Sequence, residues 1–191
     1  MSWKGRVGWV LAKAVLQVGA WSDAPRRPMN DLERRTLQGV FGDSLDTRVI
    51  EVREALSGLI NVSRRAFVIE NTMHLPMPAG TAPMHLIVHE ATHVWQFQNG
   101  GHAYISDSLQ AQTLGDGYQL EKGLLQGKAW AQLNCEQQAT LVEVAWSQRC
   151  FEGRRFILRG RDWTPVFEAS RTEWLAGRGA AFTAPGGTRD R

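Results

Sequence analysis

The chain has 191 residues, 43% of them hydrophobic and 21% charged, a composition that suits one ordinary globular domain and excludes a disordered or fibrous chain. Its net charge of +3 comes mostly from arginines set along the chain singly or in adjacent pairs rather than in longer clusters, so nucleic-acid binding, which needs a clustered basic surface, is not expected. No apolar run reaches the ~18 residues of a membrane span, and two cysteines, Cys135 and Cys150, cannot make a disulfide framework.

The first 25 residues imitate a signal peptide, with Lys4 and Arg6 ahead of an apolar stretch ending Val18-Gly19-Ala20. Lys13 interrupts that stretch, and Trp3, Val7, Val10, Leu11, Ala14, Val18 and Trp21 recur at helical spacing. An amphipathic helix packed on the domain is therefore expected, and any export would use a specialised machine. A Pro/Arg loop follows from Asp23 to Pro28. Asn30 and Glu33 form a capping-box pair that starts a short helix, with Leu32, Leu37 and Val40 on one side and Gly42 at its end. Alternation predicts strands at Thr47–Arg53 and Ala66–Glu70, with Thr72–Leu75 extending the second or forming an edge strand.

Thr81 and Pro83 predict the start of a helix running through Gln98 to a stop at Asn99-Gly100-Gly101. A Gly-punctuated connection reaches to about Gly127, and Trp130–Cys150, free of Pro and Gly, reads as one long helix. Thr164-Pro165 opens a last helix ending near Gly177, before a loose tail at 180–191. The whole reads as a single domain over 1–191.

His89-Glu90-Ala91-Thr92-His93 is the H-E-x-x-H pattern. Residues four apart lie one turn apart on one helix face, so both imidazoles reach one ion. Glu90 is then placed to act on water at a zinc ion rather than to bind it. Ile87, Ala91, Val94 and Trp95 form an apolar back face.

A catalytic zinc takes three protein ligands and leaves one position open. Gln96 and Asn99 occupy the places where a longer motif would carry Gly and His. Glu136 is the best third ligand, because Ala139 one turn on lets two helices approach closely. Asp116 and His102 are rivals, while Glu143 would lie roughly 10 Å further along the helix axis. Tyr118 is a candidate donor to the oxyanion of a tetrahedral intermediate. His74, on the possible edge strand, could help hold substrate backbone as an added strand. His85 reads as cleft lining or surface, and Trp95, Trp130 and Trp146 as core.

His-Glu-Ala-Thr-His-Val-Trp-Gln96, with Gly115-Asp-Gly-Tyr118 and Asn134-Cys-Glu-Gln-Gln-Ala139, resembles the metallopeptidase toxin domains fused to type VI secretion spike proteins of the VgrG and Rhs type. It is also similar to HExxH domains found around contractile injection systems. The resemblance covers about residues 30 to 150 and does not extend to a spike domain. It implies an α+β, gluzincin-like zincin fold: a small antiparallel sheet, the HExxH helix, and a second helix carrying the third ligand. It implies one zinc per chain on His89, His93 and Glu136, with Glu90 as base. It further implies an antibacterial effector made in the cytoplasm, delivered with a spike or adaptor, acting on protein or peptide in a rival's periplasm, and countered by an immunity protein. An inactive zincin scaffold that binds partners, and a hydrolase of another amide such as a peptidoglycan crosslink, are the alternatives.

Overall fold

A computed structural model describes residues 26–54, 66–101 and 119–180, so the N-terminal amphipathic segment and the tail beyond 180 lie outside the described residues. Within them the chain is α+β. Six strands, β1 (Arg26–Pro28), β2 (Glu51–Glu54), β3 (Phe67–Ile69), β4 (Thr72–Leu75), β5 (Ile157–Leu158) and β6 (Arg161–Asp162), are interspersed with five helices. These are α1 (Asp31–Phe41), α2 (Met84–Gly100), α3 (Leu120–Leu125), α4 (Cys135–Ser147) and α5 (Thr164–Leu175). No described helix is long and apolar enough to cross a membrane.

The main sheet has the order β1-β2-β4-β3. It is mixed rather than antiparallel as expected: β1 with β2 and β3 with β4 are antiparallel, but β2 and β4 run parallel. β4 is therefore an interior strand and not an edge. The sheet's inner row, Val52, Met73 and Val68, is buried in the core. Residues 26–28 pair as a strand where a loop was expected. The strand expected from Thr47 begins only at Glu51, because Asp46 accepts from the Arg48 N–H and holds Thr47–Val49 in a 3-10 turn.

The capping box is realised as predicted: Asn30 Oδ1 accepts from Glu33 N–H at 2.9 Å while Glu33 accepts from Asn30 N–H at 2.7 Å. Leu37, Val40 and Phe41 are buried, but Leu32 is 60% exposed, since it falls in the first turn beyond the core-facing stripe. Helix α2 opens with Pro83 as its unassisted cap, whereas the Thr81 hydroxyl bonds Pro78 O instead. It continues through Asn99 and Gly100 and is capped by Gly101.

Behind α2, Trp95, Trp130 and Trp174 pack ring to ring, with centroids 5.7 and 5.1 Å apart. Their indole N–H groups are spent on protein acceptors: Trp95 on Ser44 Oγ and Trp174 O, Trp174 on Val40 O, Trp130 on Arg178 O. Trp146 only flanks this core. Gln98 and Asn99 then tie the end of α2 to the turn before β2 through Asp46 and Ser44.

The helix expected over 130–150 is broken. Trp130–Gln132 is a 3-10 turn, and Asn134 caps α4 with Gln137 in a second capping box. Cys150 belongs to a separate 3-10 turn, so the two cysteines do not share a helix, yet both are free and buried.

One arginine clamps the first layer. Arg27 donates twice to Glu33 and once to Glu54, all at 2.8 to 2.9 Å, and Glu54 also accepts from Gly80 N–H. Both carboxylates are buried, so losing Arg27 leaves two uncompensated charges. Arg27→Met is expected to lower unfolding free energy by about 3 kcal/mol. Arg26→Met, which removes an exposed pair with Glu51, is expected to cost under about 1 kcal/mol. Urea denaturation of both variants measures the difference.

Candidate metal centre

Helices α2 and α4 pack more extensively than any other pair of described elements. Ile87, Ala91, Val94 and Trp95 are fully buried on the back of α2, as the spacing predicts. The opposite side of α2 carries His89, Glu90, His93 and Gln96 towards α4. There the buried Ala139 leaves room, and Glu136 stands in the first turn. That position suits a carboxylate, because unpaired N–H groups and the positive end of the helix macrodipole favour an anion there.

The predicted ligand set is brought together: ligand atoms of His89, His93 and Glu136 all lie within 4.8 Å of one another, and the three could hold a metal ion. Glu136 Oε2 lies 3.5 Å from His89 Nε2 and 3.6 Å from His93 Nε2. Those distances exceed the ~2.7–2.9 Å of charge-assisted hydrogen bonds. They match the ~3.3–3.6 Å edge of a tetrahedron whose ligands stand ~2.0–2.2 Å from a central ion. The donor set, two imidazole nitrogens and one carboxylate oxygen, suits zinc as well as other divalent transition metals.

The outer ring nitrogens are committed elsewhere. His89 Nδ1 is 2.9 Å from Glu143 Oε2, a group that can only accept, so Nδ1 carries the proton. His93 Nδ1 is 2.8 Å from Gln96 Oε1. The Gln96 amide cannot be turned around, because its nitrogen donates to Cys135 O at 3.0 Å and to Gln138 Oε1 at 2.9 Å. Both imidazoles thus have Nδ1 engaged and turn Nε2 towards Glu136, which leaves Nε2 as the ring nitrogen a metal would take. The distance of Glu143 from a shared ligand site is legible in the sequence, whereas the role of Gln96 is not. Seven residues, about two turns, separate Glu143 from Glu136 on α4. The same spacing that keeps it out of the His89–His93–Glu136 cluster suits it to the far side of His89.

The electrostatics call for a cation. Burial disfavours a charged His89, yet Glu136 and Glu143, with Glu90 near, push its pKa up to about 10. Burial would raise the Glu136 carboxyl, but the two imidazoles outweigh it and hold the group well below the usual carboxylate range. Glu90 is driven upward by burial, only partly offset by His93 and His89. Its Oε2 is buried without a hydrogen-bond partner, adjacent in sequence to a ligand and outside the cluster.

Other candidates stand apart. His85 is exposed and not in the cluster. His74 is buried on the interior strand β4, stacked on Phe67 at 4.6 Å, so the expected role beside an added substrate strand is not available to it. Burial, aided by Arg53 and Arg26, lowers its pKa to about 4. Tyr118, Asp116 and His102 lie outside the described residues.

Glu136→Ala should abolish stoichiometric zinc binding, Glu143→Ala should weaken it about 10–100-fold, and His85→Ala should leave it unchanged, as read by chelator competition. For His74 the folded state resists a proton that the unfolded chain accepts near pH 6.5. Its contribution is therefore complete above that pH and is lost as pH falls towards about 4, reaching on the order of 3 kcal/mol. His74→Phe should remove that part of the pH–stability slope in denaturation series. No protein-family model, curated protein or solved structure matches the chain, so the site is read from its own chemistry.

Proposed function

We propose that the chain is a zinc-dependent peptidase of zincin-like architecture, with His89, His93 and Glu136 as ligands and Glu90 as general base. The observation that carries this reading is the buried carboxylate of Glu90 with an oxygen free of hydrogen bonds, beside a three-donor cluster. A structural zinc site fills four positions with protein groups and has no need of a base. Here the described residues contribute three donors.

When bound, the ion supplies Lewis acidity, acidifying water and polarising a peptide carbonyl. The chain's own residues do the rest. Glu90 takes the proton of the attacking water, and its raised affinity for protons brings it nearer the working pH of a base. The same carboxyl can return that proton to the amine as the C–N bond breaks. Glu143 and Gln96 hold the imidazoles in one tautomer and one orientation. Glu136 supplies the third ligand from α4.

The biological setting rests on the sequence resemblance. It supports an antibacterial effector, delivered with a secretion spike or adaptor and acting on protein or peptide in the periplasm of a target cell. An immunity protein would protect the producer.

Glu90→Gln separates catalysis from binding. The amide keeps the shape but cannot accept the proton. Peptide hydrolysis should fall by at least ~10²-fold, while zinc content and thermal stability stay near wild type. Wild type directed to the bacterial periplasm should arrest growth, and the variant at equal expression should not. Toxicity retained by Glu90→Gln would favour sequestration over hydrolysis, and loss of zinc would overturn the division between base and ligands.

A further inference from the structure

We propose that Gln96, Gln138 and the Arg178–Ala180 segment form a latch that positions His93, so that docking of this segment and metal affinity are coupled. The proposal rests on the metal-site reading and extends it to a part of the chain far from the motif in sequence.

The chain of contacts has a single polarity. Gln138 is fully buried, and its amide nitrogen donates to Trp130 O and to Gly179 O, both at 2.8 Å. Both acceptors are backbone carbonyls, so the Gln138 oxygen must face the other way, towards Gln96. Gln96, also fully buried, spends its two N–H groups on Gln138 Oε1 and Cys135 O and presents its own oxygen to His93 Nδ1. Turning either amide around would set like atoms against each other at both ends of the relay. In a buried setting such a mismatch costs more than the bond itself contributes.

The far end is built to fit closely. Trp130 Nε1 donates to Arg178 O at 3.1 Å, and Ala180 is buried. Gly179 has φ +70, and a Cβ there would fall 2.7 Å from Trp130 Cδ1 and 3.1 Å from Ala131 Cβ. Only glycine lets the backbone carbonyl approach Gln138 in this way. A Cβ at Gly177 would likewise fall 2.6 Å from Asn99 Oδ1, so the segment after α5 lies close to both α2 and the turn that leads into α4. Carbonyls from 130 and 179 thus set the Gln138 rotamer, and through Gln96 the His93 ring. These are positioning residues.

Reciprocity supplies a readout other than activity. If a docked segment favours metal binding, metal must favour docking by the same factor. Zinc affinity is measured by chelator competition on the full chain, and hydrogen exchange of residues 177–180 with and without zinc. Gln138→Met and Gly179→Ala should each weaken zinc about tenfold, and Gly179→Ala should cost nothing further when Gln138 is already Met. Zinc should slow exchange of 177–180 in wild type and not in Gln138→Met. Gly160→Ala, at a turn with comparable positive φ but open space around it, should bind zinc as wild type does. A wild type that binds zinc together with latch variants of unchanged affinity, or fully additive costs in the double variant, would overturn the latch. A wild type that binds no zinc would overturn the metal reading itself, and the latch with it.

Discussion

Glu136 is a carboxylate with 1% exposure, and a charge removed from water to that degree must be met by other charges or by oriented dipoles. Its own helix contributes the first part, since the Asn134–Gln137 capping box begins α4 just before it and places it at the favourable end of the macrodipole. The two imidazoles of α2 contribute the second. With Glu143 and Glu90 also close, three carboxylates surround two histidines, a balance that a divalent cation would correct. The close packing of α2 on α4 is what brings these groups within reach, and the tryptophan cluster behind α2 fixes where that helix lies.

The two histidines are held by different chemistry. His89 leans on a partly exposed carboxylate, Glu143, whereas His93 leans on an uncharged amide sunk in the core. A second buried carboxylate beside His93 would have added charge with no compensating cation. Two glutamines in series instead carry the constraint outward to backbone carbonyls without any net charge. This is a fully connected polar network, the form in which polar groups can occupy a core without the cost of unmet hydrogen bonds. It also makes the first turn of α4, the 3-10 turn at Trp130 and the chain after α5 parts of one support.

The elements that were legible in the sequence are those set by local chemistry. The Asn30 capping box, the Gly101 stop and the α5 start at Thr164-Pro165 each depend on residues within one turn of each other. The break in the helix expected over 130–150 has a local cause, because the absence of Pro and Gly permits a helix without requiring one. The Asn134-x-x-Gln137 signature that breaks it was present and carried the information. The parallel pairing of β2 with β4 was not legible, since strands of three or four residues hold no record of which neighbour they take.

Sequence alone determined that two imidazoles and a carboxylate sit on one helix, because i and i+4 positions share a face whatever surrounds them. It also favoured Glu136 over Asp116 and His102, since a catalytic zinc takes a third protein ligand and Ala139 one turn on lets two helices approach. Only the tertiary structure decided what lies behind His89 and His93. Gln96, Gln138 and Glu143 are ordinary polar residues by type, and their roles arise from contacts across 39 to 54 positions of chain. A ligand is chosen by its chemistry, which the sequence spells out. The orientation of that ligand is set by packing between distant segments, which no local pattern encodes.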